Sequence, residues 1–362
     1  MPYSGPTSAV SVMAKVHAAY FQKINDEGGI NGRKIVYISY DDAYTPAKAI
    51  EQARKLVEGD EVLLIFSPIG TASNIAMQKY MNDKKVPQLF AASPAARLKD
   101  PKEFPWTMGW LPSFDSEGRI IAKYILKEKP DGKVGVLYQN DDSARDYLRG
   151  LKAGLGDKAA SMIVREESYQ PTDPTIDSHI INLKAAGVDV FVDVTTTKFA
   201  AQAIKKAADL GWKPLHLLGS PGGSIATSIK PAGFDISQGI ISATFQKDPN
   251  DPKWKDDPGV NAWRAFLDKY YADADRNNDF VVQGYNYAQV MVQVLKQCGD
   301  DLTRENVMRQ AANLKDVQLG MLLPGIKINT SPTDYAPLKQ LQFMKLKGES
   351  WELFGEIINS NQ

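Results

Sequence analysis

Val12, Val16, Ala19, Tyr20 and Ile24 recur at helical spacing over residues 7–26, and Gly28-Gly29 stops the helix they predict. The run KIVYISYDD (34–42) follows as a strand with a turn. Thr45-Pro46 opens a second helix, Thr45 in the capping position and Pro46 at the first helical one. Ala49, Ala53, Leu56 and Val57 share a face of that helix. VLLIFSP (62–68) is a short continuous apolar run of the kind a strand covered on both faces needs. A helix over 71–83 and a strand at 86–91 complete the series.

A second series repeats the alternation. Helix 115–127 leads to strand 133–139, helix 143–155 to strand 161–165, and helix 175–186 to VDVFVDV (188–194). Helix 198–210 then leads to HLLGS (216–220), and GIISATF (239–245) is the last strand of the run. Strands alternating with helices of this length form a parallel sheet with helices on both faces. Two series broken near 110–114 predict two doubly wound α/β lobes. After 246 comes a polar loop rich in proline (247–259), then helices at about 260–272, 280–297 and 303–313. Two strand-like segments, QLQFMKLK (340–347) and WELFGEI (351–357), end the chain.

Length and charge narrow the classes. At ~150 residues per domain, 362 residues make two to three domains. Forty-three Lys and Arg balance forty-three Asp and Glu, which argues against a nucleic-acid surface or a polybasic membrane patch. No apolar run approaches the ~18 residues of a spanning helix. The lone Cys298 leaves no internal disulfide or thiolate cage, and His17, His179 and His216 are too scattered to suggest a metal site. MPYSGPTSAV has neither the basic region nor the apolar core of a signal peptide; a mature or trimmed chain would look the same.

Enzyme signatures are missing from the sequence: no phosphate-binding P-loop, no HExxH and no GxSxG. Gly154-Leu-Gly156 imitates the start of a dinucleotide loop, but it closes a helix instead of following a strand. Asp41-Asp42, Asp141-Asp142 and Asp256-Asp257 read as solvated turn residues, because neighbours on extended chain point apart. Cys298 reads as a core filler. The sequon at Asn329 carries little weight.

The chemistry lies instead at the C-terminal ends of strands, where open α/β sheets bind ligands. Ser67-Pro-Ile-Gly70-Thr71-Ala-Ser73 brings backbone N–H groups and hydroxyls to a helix start, which favours a carboxylate. Ala91-Ala92-Ser93-Pro94 ends the next strand with small residues and a hydroxyl, and Thr195-Thr196-Thr197 ends VDVFVDV.

MPYSGPTSA, INDEGGINGRKI, YDDAYTP, SPIGTASN, VPQLFAAS, KVGVLYQNDD and LLPGIKINTSPTDY occur in this order over nearly the whole chain. In that combination the sequence resembles the leucine/isoleucine/valine-binding protein family, the type I periplasmic solute receptors of ABC importers. The resemblance implies the periplasmic-binding-protein type I fold, with two doubly wound parallel-sheet lobes joined by a three-segment hinge. One lobe would comprise 1–112 and 247–325, the other 113–246 and 326–362. Solute would be enclosed in the cleft by domain closure, with no catalysis and no cofactor or metal. The implied partners are a small-molecule carboxylate and an ABC membrane permease, and the implied location is periplasmic. Members of the family begin with a strand just ahead of the MPYSGP-like segment, and this sequence begins inside that segment. Ala43 and Ile69 stand where the family has a loop disulfide.

Departures from the family pattern bear on the ligand. Its amino-acid receptors hold the ligand carboxylate at the positions matching Gly70-Thr71 and Ala92-Ser93, which are kept. They hold the ammonium with an acidic residue where this chain has Pro221, and a buried ammonium without a counter-charge costs several kcal/mol. Ser143 and Thr196 replace aromatic residues and make the far end of the pocket roomier and more polar. Tyr3, Trp110, Tyr138 and Phe245 are candidates to flank a flat ring. Arg145 reads as a solvated helix residue. The implied ligand is a benzoate- or hydroxycinnamate-type aromatic acid. The alternatives are a branched-chain amino-acid receptor, which needs an acid from elsewhere such as Asp142, and a sensor or regulator of the same fold.

Overall fold

The computed structural model describes residues 1–359. In chain order it contains α1 (Val12–Asp26), α2 (Pro46–Arg54), β1 (Ile65–Phe66), α3 (Thr71–Asp83), β2 (Gln88–Ala91), β3 (Thr107–Gly109), α4 (Phe114–Glu128), β4 (Val134–Gln139) and α5 (Asp142–Leu155). These are followed by α6 (Ala159–Met162), β5 (Ile163–Tyr169), α7 (Asp177–Ala185), β6 (Val190–Val194), α8 (Thr197–Asp209), β7 (Leu215–Leu218), α9 (Lys230–Ala232), α10 (Phe234–Ser237) and β8 (Ile241–Thr244). Last come α11 (Pro258–Tyr270), α12 (Asp279–Cys298), α13 (Arg304–Ala311), β9 (Gln340–Lys347) and β10 (Ser350–Asn359).

The chain divides into two compact units. Unit 1 is Met1–Leu111, Lys253–Arg276 and Phe280–Leu338; unit 2 is Pro112–Pro252, Asn277–Asp279 and Lys339–Gln362. The chain thus changes unit at 111/112, 252/253 and 338/339, where changes at 112/113, 246/247 and 325/326 were expected.

Unit 1 holds a parallel sheet in the order β1-β2-β3. On one side α1 packs against α12 closely enough that a Cβ on Gly284 would lie 3.0 Å from that of Val16. On the other, Ala49 and Ala53 of α2 share a core with Met77 and Met81 of α3. Two expectations fail here. Residues 34–42 are extended but belong to no sheet, and only Ile65–Phe66 of the 62–68 run is a strand. Hydrophobic sequence makes these segments extended; a ladder also needs a partner on the edge, and β1 is bonded only to β2.

Unit 2 has seven strands in the order β10-β9-β8-β7-β6-β4-β5. Strands β5, β4, β6, β7 and β8 run parallel, and β9 and β10 form an antiparallel hairpin at the β8 edge. The order reverses at β4, which lies between β5 and β6 and so marks a switch point. Helices α4 and α5 meet through glycine. A Cβ on Gly150 would lie 1.9 Å from the Asp115 carbonyl oxygen, and one on Gly118 would lie 2.3 Å from that of Tyr147.

Candidate functional site

In unit 1 the candidate residues gather between the ends of β1 and β2 and the start of α3. Ile69 bridges Ala92, and the Gly70 amide donates to the Ala92 carbonyl at 3.3 Å. Gly70, at φ +97°, caps α3 without any side chain accepting from its first turn. A Cβ there would press to 2.4 Å of the Tyr44 ring, so glycine is required twice over. The first amides of α3 therefore have no side-chain acceptor and, with the helix dipole, form a receptor for negative charge. Beside them Thr71 and Ser93 share a buried hydroxyl–hydroxyl hydrogen bond of 2.9 Å, and Ser93 Oγ also accepts from the Ala95 amide. Asn74 Nδ2 donates to the Pro68 and Gly70 carbonyls and fixes the loop. Ser67 has φ +50° and Phe90 φ +53°, so left-handed backbone collects at these strand ends.

The two aromatic candidates of this unit lie elsewhere. Trp110 is fully buried, its ring edge-on to Phe90 at 5.6 Å and 4.9 Å from that of Tyr287, and its Nε1 has no partner. It is a core residue and offers no open face. Tyr3 is 39% exposed and donates to Ser39 Oγ at 2.7 Å. The adjacent Asp41-Asp42 pair is not solvated. Asp42 is buried against the Met1 ammonium at 3.0 Å, while Asp41 accepts from the Ser4 hydroxyl and the Ala43 amide. Asp42 also accepts from the Tyr44 amide, and these bonds hold Ala43 (φ +48°) and Tyr44 (φ +58°) in the left-handed turn that sets the Tyr44 ring on Gly70.

In unit 2 the candidates sit at the ends of β4, β6 and β7. Tyr138 is half-buried on β4, paired with Ser168 and Val194. Ser143 is buried; its hydroxyl and the Ala144 amide both reach Asp141 Oδ1, the cap of α5. Thr196 caps α8 without a side-chain bond to the helix, and its amide donates to the Tyr169 hydroxyl at 3.3 Å. An aromatic thus reaches the Thr196 position from β5, with its ring 4.3 Å from that of Phe199. Phe245 is buried just past β8. Asp142 pairs with Arg145 at the surface and is not the acid an amino-acid receptor would need.

Pro221 lies in the turn Ser220–Gly222 after β7. Sequence reasoning missed what that turn is tied to. Ser220 donates its amide to Glu117 Oε1 and its hydroxyl to Oε2, both at 2.8 Å. Glu117 is 1% exposed, and burial pushes its carboxyl up to about 7 although the Ser220 bonds oppose the shift. Tyr147, fully buried on α5 with no partner for its hydroxyl, feels both Glu117 and Asp193, and burial with those two charges raises its pKa. Asp193 in turn accepts from the Thr195 hydroxyl and bonds His216 Nε2 at 3.0 Å. Glu117 was invisible because it sits one turn into α4, 103 residues from its partner.

Residues 1–350 match the family profile described as periplasmic binding protein. The Leu/Ile/Val-binding protein homolog 7 of Brucella abortus (strain 2308) is 22% identical over 334 residues, spanning 90% of this chain and 82% of that protein. A branched-chain amino-acid ABC transporter structure from Thermus thermophilus with bound valine superposes with TM-score 0.86, at 19% identity over 99% of this chain and 94% of the other. A fatty acid ABC transporter substrate-binding protein from Thermomonospora curvata does so with TM-score 0.82, at 21% identity over 99% and 90%. No helix among the described residues is long and apolar enough to cross a membrane. With the type I fold in both units and a profile match over nearly its whole length, the chain belongs to the periplasmic binding protein family, as a solute-binding protein of its Leu/Ile/Val-binding group.

Proposed function

We propose that the protein is an extracytoplasmic receptor that binds a small organic carboxylate, an aromatic acid of the benzoate or hydroxycinnamate type, and hands it to an ABC permease. The observation that carries this reading is the start of α3. A glycine cap leaves its first amides without a side-chain acceptor, next to the Thr71–Ser93 hydroxyl pair. Such a cradle suits a carboxylate and supplies no general base or nucleophile. The turn after β7 carries Pro221 in place of an acid, and Tyr138 keeps an exposed part of its ring. Both favour a ligand without an ammonium group.

A second reading, a branched-chain amino-acid receptor, draws support from Glu117. Its carboxylate is bound to Ser220, beside the missing acid. Thermal-shift screening followed by calorimetry separates the two. The panel sets benzoate, 4-hydroxybenzoate, p-coumarate and phenylpyruvate against leucine, valine and phenylalanine. A ligand at ~1,000 times its Kd stabilises the folded state by about 4 kcal/mol. Binding of aromatic acids with inert leucine and valine is the expected result; tight leucine or valine binding gives the site to amino acids through Glu117. Thr71→Val should weaken whichever carboxylate binds by roughly tenfold or more, since a charge-assisted hydrogen bond contributes about 1.5–3 kcal/mol. An unchanged Kd in that variant would move the anchor away from α3.

A further inference from the structure

Unit 1 contains an apolar groove of about 420 Å³ that the solute-binding reading does not use. Its walls are two extended segments, residues 34–40 and 62–66. Phe21 of α1 with Met291 and Leu295 of α12 line it from one helical layer, and Ala53, Leu56 and Met77 line it from the α2 and α3 side.

Both walls present unpaired strand edges. On the first, Asn25 clamps the Ile35 amide and carbonyl, 2.7 and 2.8 Å away, and so covers the edge that carries odd-numbered residues. The opposite edge carries the N–H and C=O groups of Val36 and Ile38, which have no hydrogen-bond partner among the described residues, and Val36 is 82% exposed. On the second wall, β1 spends its odd edge on β2, through the Ile65 amide to Pro87 and the Ser67 amide to Leu89. Its other edge, at Leu64 and Phe66, meets no strand. Apolar backbone left unpaired in this way is costly.

Met1 shows how the gap is meant to be filled. Its nitrogen donates to the Tyr40 carbonyl at 3.2 Å, and its carbonyl accepts from the Asp42 amide at 3.1 Å. That reciprocal pair is the bonding pattern of a parallel ladder in which Met1 stands opposite Asp41. The ladder lies on the even edge and stops after this one residue, at the mouth of the groove. Continued by one strand, it reaches the free groups of Ile38 and then Val36, while the far edge of that strand faces Leu64 and Phe66.

We infer that the groove is a strand acceptor. It takes a separate extended peptide of about five apolar, β-branched residues, parallel to residues 36–40, with its C-terminal carboxylate against the Met1 ammonium. Two rows of backbone donors and acceptors favour a peptide over a lipid tail, which pairs with neither. Helical layers on both sides call for a segment apolar on both faces.

The probe is the peptide Lys-Lys-Val-Ile-Val-Ile-Val, whose lysines stay outside the groove and keep it soluble. The control is the same peptide with proline at its central valine, which removes a ladder donor. Titrated into the full chain, the first peptide should raise Tm in a saturable, one-to-one manner. It should also slow amide exchange at Val36, Ile38, Leu64 and Phe66 at least tenfold, and the proline peptide should do neither. Equal effects of both peptides would overturn the proposal, because they indicate mere adsorption to apolar surface. Stabilisation without protection of those four amides would overturn it as well. So would a peptide-free chain that sediments as a dimer with the same amides already protected, since a second copy would then be the occupant.

Discussion

VDVFVDV in unit 2 and KIVYISYDD in unit 1 are strand sequences of the same kind, yet only the first lies in a sheet. Val190–Val194 pairs on one side with β4 and on the other with β7, and Val192 is completely buried. Val36, in the middle of the other run, is 82% exposed, and its run is bonded by Asn25 and Met1 alone along its backbone edges. The apolar, β-branched residues make both segments extended. What separates them is whether a neighbour meets each edge, and that is a property of the whole sheet.

The largest effect should come from emptying the paired strand. Phe191 is fully buried on β6, its ring 5.2 Å from Trp212 and 4.6 Å from His216. Phe191→Ala should destabilise unit 2 by about 3–5 kcal/mol in denaturant unfolding. A loss below about 1 kcal/mol would mean that the paired sheet is no better packed than the unpaired run.

Next in size is the pH dependence of unit 2. Folded Glu117 titrates near 7, against an ordinary value of 4.5. The folded chain therefore binds this proton more tightly than the unfolded chain. Its contribution to stability is greatest below the ordinary value and is lost as pH rises to about 7, by on the order of 3 kcal/mol. Asp279, raised by burial to about 6, slopes the same way, so the reading is the difference between wild type and Glu117→Gln. The variant's stability should fall less between pH 4.5 and 8 than the wild type's. Parallel curves for the two proteins would assign the slope to other groups.

The same contrast explains how much was legible beforehand. The helices came through because their signals are local: the 71–83 and 143–155 patterns correspond to α3 and α5 within a residue at each end. Strand ends in unit 2 were found to within two or three residues, except that 161–165 proved to be the start of Ile163–Tyr169. At the strand-end loops, Gly70, Thr71, Ala92 and Ser93 are adjacent in sequence to the turns that unite them, so small residues and hydroxyls betrayed them. Glu117 and Tyr44 did not show, because each acts on a residue far along the chain through contacts that only packing creates. Trp110 and Phe245 misled for a related reason. An aromatic residue near a loop carries no local mark that distinguishes a pocket wall from a core.

A smaller effect is expected at Thr71, whose hydroxyl bond lies in the one part of unit 1 where both strand ends are joined. Thr71→Val removes the Ser93 bond but leaves Ser93 Oγ accepting from the Ala95 amide. The stability loss should be about 1 kcal/mol, measured without ligand. A loss above about 3 kcal/mol would make the hydroxyl pair a structural bolt holding α3 to β2 and would weaken its claim as a ligand anchor.

The smallest effect sharpens the opening contrast most. Val36→Ala lies in a run that reads as buried strand, where removing two methyl groups from a core would cost about 2 kcal/mol. With its side chain open to solvent, the truncation should change stability by less than about 0.5 kcal/mol. Alanine also has a lower strand propensity than valine, so the small change should be destabilising. Measured on the peptide-free chain, a cost near 2 kcal/mol would show that Val36 is covered in solution. The even edge of residues 36–40 would then already have a neighbour, and the difference between the two runs would vanish.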